Sequence, residues 1–596
     1  AASLPLTAGS AVRAGAPIAR ASRASPALAA STGRIGAIAC GQAVSTSLRS
    51  AAPAPFSRTH ASTPPAMSRA SKLGAAASHV AAAGNAAKAP LDQSGFITTS
   101  VTATTVPVAL EEIAEATAAG ADIIELRLDF IAGLDAEADV PKLVSACTVP
   151  TIVTYRPTWE GGKYDGDEEP RLAALQVAAR AGAEFVDCEL LAAERFRAAG
   201  WVDGTDTKVI LSNHDYAATP EMETLRGKID AMWAAGADIV KLATTGQDIT
   251  DARRMVRLLE EKRGPTIALC MGEKGQLTRI LAAKFGGFLT FGALSVERQS
   301  APGQPTVGEL RDKYRLPEQN AATKVFGLIG NPVAQSKGAV LHNAAFENEG
   351  CDAVYIPFLV DDVKEFLDAF ADLPDFAGFS VTIPHKENVI PCCGQIDPVA
   401  KSIGAVNTLV RQPDGSFSGT NTDWIAAISA VEEGLGGAGA LEGKVAVVVG
   451  AGGAGKALAF GAKAKGADVI VTNRNFARAE ELAAQVEGAR AVPLEDVQAG
   501  TAGGDVLINT TSLGMFPNSL DDTPVPAPAL ASYQLVFDAV YNPMETKLLR
   551  EAAAAGCKTV NGVEMFVGQA AEQFELFTGV PPPKALMWDV VVNASK

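Results

Sequence analysis

The sequence predicts an α/β protein throughout: a (β/α)8 barrel, then a second αβ region built around a parallel nucleotide-binding unit. Three observations carry that expectation. Eight short apolar or β-branched runs alternate with helical patterns between residues 97 and 294. A valine-rich run leads straight into Gly450-Ala451-Gly452-Gly453-Ala454-Gly455. Of the 596 residues, 20% are charged and 47% hydrophobic, the balance of a globular chain. At roughly 150 residues per domain, the chain beyond its leader holds about three domains.

The leader comes first. Residues 1–91 hold nine Lys/Arg and no Asp or Glu, although the whole chain carries a formal charge of -16. Dominated by Ala, Ser, Pro and Arg, this segment buries too little apolar surface to offset its ordering entropy. Residues 1–92 are therefore expected to be a disordered transit peptide, lacking the compact apolar stretch of a secretory signal. The acidic remainder excludes nucleic acid as a partner, because phosphate binding needs a cationic face. No run reaches the ~18–20 apolar residues of a membrane span. The eight cysteines show no C-x-x-C spacing, so neither a zinc cage nor a redox dithiol is signalled, and no metal is expected. Adjacent Cys392 and Cys393 read as small packing residues.

The barrel is expected over 93–315. Its strand runs are 97–103, 122–129, 151–156, 185–190, 208–214, 239–244, 266–271 and 288–294. Eight strand–helix units in about 200 residues is the count for a closed barrel, whose active site lies at the carboxyl ends of the strands. Polar residues gather there: Glu125, Arg127, Arg156, His214 and Lys241. Lys241 sits inside the apolar Ile239-Val240-Lys241-Leu242-Ala243. Burying its ammonium ion is costly, so desolvation should favour a nucleophilic amine. A nearby His moves protons near neutral pH. With Arg156 and Arg279 in the same barrel-end pattern, the set points to Schiff-base chemistry rather than to a lysine reaching out to solvent.

Residues 97–312 resemble a type I 3-dehydroquinate dehydratase. The matching segments are Glu125-Leu126-Arg127, Tyr155-Arg156 with Glu160-Gly161-Gly162, Ser212-Asn213-His214-Asp215, Val240-Lys241, Arg279, Phe291-Gly292-Ala293 and Ser300-Ala301-Pro302-Gly303-Gln304. The resemblance implies that Lys241 attacks the C3 ketone of 3-dehydroquinate. His214 removes the neighbouring proton, Glu160 orients His214, and the product is 3-dehydroshikimate. It further implies that Arg279 grips the substrate carboxylate, with Glu125, Arg127, Arg156, Ser300 and Gln304 on hydroxyls and carboxylate.

A seam is expected at Leu316-Pro317-Glu318-Gln319-Asn320, making 316–322 a linker. Next comes a separate αβ region over 323–425. The parallel-strand run Lys444–Val449 then opens a Rossmann unit over 426–560. Its G-x-G-x-x-G stands in the strand–turn–helix context that brings backbone N–H groups to a pyrophosphate, which places Gly450, Gly452, Gly453, Ala454 and Gly455 on a dinucleotide. The following strand, 468–472, ends in Asn473-Arg474-Asn475. An NAD site would carry an acid there; Arg474 offers a bidentate cation for a 2′-phosphate, so NADP is the expected cofactor. A helical tail, 561–596, returns to the substrate region. Lys386, in Pro384-His385-Lys386, and Asp423, in Thr420-Asn421-Thr422-Asp423, are the acid/base candidates, since a paired lysine suits proton transfer to a carbonyl oxygen.

Residues 323–596 resemble a shikimate dehydrogenase over their whole length. Beyond these segments the match includes Gly404-Ala405-Val406-Asn407-Thr408, Asn509-Thr510-Thr511-Ser512-Leu513-Gly514-Met515, Tyr541-Asn542-Pro543 and Met565-Phe566-Val567-Gly568-Gln569. The resemblance implies NADPH-dependent reduction of 3-dehydroshikimate to shikimate. Ser336, Thr382, Asn407, Tyr541 and Gln569 would bind substrate, and Thr510, Ser512, Met515 and Gly562 would shape the nicotinamide region. The implied fold is a two-domain dehydrogenase with an αβ substrate domain and an NADP-binding Rossmann domain. One departure matters. The family's G-N-P-V-x-H-S-x-S loop here reads Gly330-Asn331-Pro332-Val333-Ala334-Gln335-Ser336-Lys337-Gly338, with glycine for the second carboxylate-gripping serine. Losing that hydroxyl costs ~1.5–3 kcal/mol unless water substitutes. It also opens space near C1, where quinate carries an extra hydroxyl, and plant relatives that favour quinate look to carry glycine here. A quinate dehydrogenase is thus one alternative for this half, and a nucleotide-binding sensor without catalysis is another. Together the halves read as two consecutive steps of aromatic biosynthesis in a monomer with small-molecule partners only. The leader is too short to hold another enzyme. Because the fusion resembles the plant type, its leader points to the plastid.

Overall fold

Eight parallel strands open the described part of the chain. In this computed structural model that part comprises residues 94–200, 202–517 and 519–593; the expected leader, 1–92, lies outside it. The strands are β1 (Phe96–Val101), β2 (Ile123–Arg127), β3 (Thr151–Thr154), β4 (Phe185–Glu189), β5 (Lys208–Asp215), β6 (Ile239–Thr245), β7 (Thr266–Met271) and β8 (Leu289–Phe291). They pair in the order β7-β6-β5-β4-β3-β2-β1-β8, and the Phe288 N–H donates to Thr266 O at 2.9 Å across the remaining seam. All eight lie within the runs the sequence predicts, give or take one residue at their ends. Because a strand alternates faces, one set of side chains points inward. Ile123, Ile152, Phe185, Ile210, Ile239, Ile267 and Phe288 form one buried apolar layer there. Polar inward positions lie further along the same strands, which confines them to the carboxyl ends.

The segment expected to be a linker is packed. Leu316 is fully buried, and the Gln319 side-chain amide donates to Ile280 O and Tyr314 O, both at 3.0 Å. It joins the barrel to the next sheet as expected, and the apolar Leu316 anchors it in the core. Charged contacts tie the halves together: Arg253 and Arg257 meet Asp372 at 2.8 and 3.1 Å, and Lys284 meets Asp375 at 3.2 Å. Lys274 pairs with Asp361, which also accepts from Asn331 Nδ2 at 2.9 Å.

The next sheet mixes directions. Its strands are β9 (Lys324–Gly330), β10 (Ala353–Leu359), β11 (Phe376–Val381), β12 (Gln395–Ile396), β13 (Thr408–Arg411) and β14 (Phe417–Thr420), in the order β10-β9-β11-β13-β14-β12. The third sheet is all parallel. It contains β15 (Val445–Val449), β16 (Asp468–Thr472), β17 (Arg490–Ala491), β18 (Val506–Asn509), β19 (Leu535–Asp538) and β20 (Lys558–Val560), ordered β17-β16-β15-β18-β19-β20. This 3-2-1-4-5-6 order is that of a dinucleotide-binding fold, whose crevice opens where the order reverses, between β15 and β18. Ala446 and Val448 pack in one apolar cluster and Val447 and Val449 in another, which is why that strand reads as continuous valine. The helix Gly562–Thr578 carries the chain back to the mixed sheet, where Phe577 stacks on Phe326 at 4.8 Å. No described helix is long and apolar enough to cross a membrane.

Candidate active sites

At the carboxyl ends of the barrel strands, pairing register sets one polar level. Ser100 lies opposite Glu125, Glu189 opposite Ser212, and Ser212 opposite Lys241. Lys241 is 5% exposed, and its Nζ lies 2.9 Å from Asp187 Oδ2, 3.8 Å from Glu125 Oε1 and over the Phe291 ring at 4.7 Å. The sequence led to a lone ammonium in an apolar strand. The structure supplies a counter-ion instead, since β4 presents Asp187 and Glu189 to the interior two residues apart. Two acids at period two within an apolar run were the available signal.

Arg156 is caught by the same carboxylates. It donates to Asp187 at 2.8 Å, Glu189 at 2.7 Å and Ser212 Oγ at 2.8 Å. Arg171 also meets Glu189, at 2.7 Å. Buried charges this close must be paired, because an unpaired one bears its full desolvation cost. Burial works against the Arg156 charge, but Asp187 and Glu189 hold its pKa above the ordinary value. Burial likewise opposes the Asp187 charge, yet Arg156 and then Lys241 pull its pKa well below the carboxylate range. Arg156 was expected on the substrate; its guanidinium is committed to protein carboxylates, although it still borders the cavity.

His214 ends β5. Glu160 Oε1 accepts from its backbone N–H at 2.9 Å and stands 3.0 Å from its Nδ1. The tight turn after Glu160 makes this possible: a Cβ on Gly162 would lie 2.0 Å from Arg156 O, and Gly161 has φ +78°. Burial first, then the Arg156 and Lys241 charges, push the His214 pKa well below its usual value, so the ring is neutral. Burial, opposed by Arg156, raises Glu160 to about 7. Arg279 is 3% exposed and also faces the cavity; burial lowers its pKa to about 10, and no described carboxylate offsets that. Glu125, Arg127 and Ser300 line the same space, as do Ser100 and Tyr216, which the sequence analysis missed. Arg127 is held by Asp129 at 2.8 and 2.9 Å. Gln304 stands behind the wall, its Oε1 accepting from Ser300 N–H at 3.0 Å.

The second cavity, about 470 Å³, opens between the mixed sheet and the Rossmann unit. Lys386 and Asp423 meet across it, Nζ to Oδ2, at 2.7 Å. Asp423 is in the first turn of the helix Thr422–Leu435, capped by Asn421. Asn407 Oδ1 accepts from Thr422 N–H at 2.8 Å and Thr408 Oγ at 2.7 Å, and its amide donates to Thr422 Oγ1 at 3.1 Å. Ser336, Thr382, Tyr541, Gln569, Ala454 and Gly562 also line it. Tyr355 and Ser380 from the sheet and His342 and Gln573 from two helices also line it and were not anticipated, because they are separated in sequence and meet only in the fold. Ser512 and Met515 lie on an exposed loop rather than in the lining.

The glycine loop fits a dinucleotide. Gly450 has φ +113°, and a Cβ there would lie 2.4 Å from Thr510 Oγ1. A Cβ on Gly455 would lie 2.0 Å from Gly450 O, whereas Gly452 and Gly453 face open space at the start of the helix Gly453–Ala464. Arg474 is exposed just past β16, beside Asn473.

Family models match in chain order. Type I 3-dehydroquinase covers 97–321, the shikimate dehydrogenase substrate-binding domain 328–409, shikimate/quinate 5-dehydrogenase 434–515, and the shikimate 5′-dehydrogenase C-terminal domain 562–592. The chain is 48% identical over 495 residues to the chloroplastic bifunctional 3-dehydroquinate dehydratase/shikimate dehydrogenase of Arabidopsis thaliana, covering 80% of this chain and 81% of that one. It is 44% identical over 280 residues to the NADP(+) shikimate dehydrogenase of Methanosarcina mazei, covering 46% of this chain and 98% of that one. A solved dehydroquinate dehydratase and shikimate dehydrogenase from S. pombe AroM is 25% identical, with a TM-score of 0.40, over 84% of this chain and 99% of that one. The chain belongs to the family of bifunctional 3-dehydroquinate dehydratase/shikimate dehydrogenases.

Proposed function

We propose that the barrel dehydrates 3-dehydroquinate to 3-dehydroshikimate through an imine on Lys241, and that the second half reduces this product to shikimate with NADPH. The pairing of each lysine with one carboxylate at its cavity, Lys241 with Asp187 and Lys386 with Asp423, is the observation that supports it most. The Lys241 amine adds to the C3 ketone and water leaves, giving an iminium that draws electrons from the adjacent C–H bond. His214, neutral and anchored through Nδ1, takes that proton at Nε2 and returns one to the departing C1 hydroxyl, which leaves as water. Hydrolysis of the imine frees product and lysine. Arg279, buried with no described carboxylate offsetting its charge, suits the substrate carboxylate. Glu125, Arg127 and Ser300 address hydroxyls, while Arg156 and Gln304 act as positioning residues.

Glu160 gives a pH signature. Only its ionised form is a full acceptor for the His214 Nδ1–H, and its pKa lies near 7. Dehydratase kcat/KM should therefore fall about tenfold per pH unit below that value and level off above it. Glu160→Gln keeps the accepting oxygen without titrating, so its profile should lose this acid limb. An unchanged limb would assign it to another group.

In the second half NADPH, when bound, supplies the hydride. Lys386, held by Asp423, donates the proton to the carbonyl oxygen. Ser336, Thr382, Asn407, Tyr541 and Gln569 hold the substrate. The N–H groups of Gly452, Gly453, Ala454 and Gly455 suit a pyrophosphate, Asn473 and Arg474 a 2′-phosphate, and Thr510 and Gly562 the nicotinamide side. The intact Lys386–Asp423 pair weighs against a silent sensor, and the named relatives weigh against quinate as the main substrate. Product analysis tests the whole reading: 3-dehydroquinate with NADPH should yield shikimate, and NADH should serve poorly. Accumulation of quinate in place of shikimate would overturn the assignment of the second half. The basic leader is proposed as a plastid address, in keeping with the chloroplastic relative. A fluorescent protein carrying residues 1–93 that stays in the cytosol of plant cells would refute it.

A further inference from the structure

Gly338 leaves a gap in the carboxylate loop, and the structure shows what borders it. Ser336 Oγ accepts from Gly338 N–H at 3.1 Å, so its own hydrogen remains for another acceptor. A Cβ on Gly338 would stand 3.2 Å from Ser336 Oγ, 3.2 Å from Tyr355 Cε1 and 3.4 Å from Tyr355 Oη. The volume a serine side chain would occupy therefore lies between two hydroxyls, and both residues line the dehydrogenase cavity. Tyr355 is firmly held. Its backbone N–H and C=O pair with the Asn343 side chain at 2.7 and 2.8 Å, and its ring stacks on His342 with centroids 4.4 Å apart.

We infer that Tyr355 supplies the second hydroxyl donor to the substrate carboxylate, taking the role left open by Gly338. The inference rests on the reading of this half as a shikimate dehydrogenase whose Ser336 meets that carboxylate. The Tyr355 hydroxyl hydrogen-bonds with Ser380, and Ser380 Oγ donates to Gln573 Oε1 at 2.8 Å. Ser380 thus keeps a partner when the phenol hydrogen turns to a carboxylate. That exchange is favourable because a bond to an ionised acceptor is about twice as strong as a neutral one. Burial raises the Tyr355 pKa, so the group stays a donor across the working pH range. A serine Cβ at 338 would stand 3.4 Å from the phenol oxygen, a contact that Tyr355→Phe removes; glycine leaves that oxygen facing the ligand.

Tyr355→Phe removes the one oxygen and keeps the ring. In the full chain, KM for 3-dehydroshikimate should rise about ten- to a hundredfold, the scale of one hydrogen bond to a charged group, with kcat within a few-fold. Dehydratase turnover in the same preparation should be unchanged, which checks folding. Oxidation of shikimate methyl ester, which lacks the charged acceptor, should be impaired far less than that of shikimate. Adding Gly338→Ser to Tyr355→Phe should bring KM back toward the wild-type value. A KM within twofold of wild type, equal losses on acid and ester, or no recovery in the double variant would each overturn the inference. A wild-type chain that fails to oxidise NADPH with 3-dehydroshikimate would overturn the underlying reading as well.

Discussion

Lys241→Ala is expected to lower dehydratase turnover by at least about 10³-fold while leaving NADPH oxidation with supplied 3-dehydroshikimate unchanged. Removing a nucleophile closes the covalent route, and the rest of the site can only bind and polarise. The variant should fold, because Asp187 is not orphaned: it retains Arg156 at 2.8 Å and Ser212 Oγ at 2.6 Å. A buried carboxylate stripped of all its partners would instead be strongly destabilising. Borohydride added with 3-dehydroquinate should reduce the imine in the wild type and leave a stable adduct on the peptide holding Lys241, and none in the variant. Residual turnover within tenfold of wild type, or an adduct at another lysine, would remove Lys241 from the chemistry.

The barrel was legible because each strand is a short apolar run between helical patterns, and that periodicity is local. Strand order in the last sheet was not. β17, β19 and β20 have two to four residues, too few for a period, and their places come from packing between helices. The seam at 316–322 was legible in position, between the barrel and β9, but its packing was not, because burial of Leu316 depends on partners distant in sequence.

The sites divide along the same line. Lys241, His214, Lys386 and Asp423 announce themselves by chemistry in a local setting. Asp187 and Glu189 did not, although their spacing put both on one face of β4. Recognising them needs the knowledge that this face meets Arg156, just past β3, and Lys241 of β6. Arg156 shows the converse case: its place at a strand end is legible and it does line the cavity, but its carboxylate partners are not visible in the sequence. Tyr355 was hidden further, because only β10 brings it beside Gly338.

Lys386→Ala carries the second large effect: kcat for 3-dehydroshikimate reduction should drop by about 10²- to 10⁴-fold, the usual range for a lost acid/base group. KM should move little, because the remaining cavity lining is untouched. The dehydratase site lies in a separate cavity, so its rate should hold. Lys386 and Asp423 are partly exposed, with side chains 34% and 22% accessible, so their pairing contributes orientation more than stability. Thermal unfolding should consequently change little in either single variant. If the two act as one unit, adding Asp423→Asn to Lys386→Ala should cost almost nothing further. Multiplicative losses in the double variant would mean that Asp423 works independently, for instance by binding a substrate hydroxyl. Full activity in Lys386→Ala would shift proton donation to another residue of the cavity.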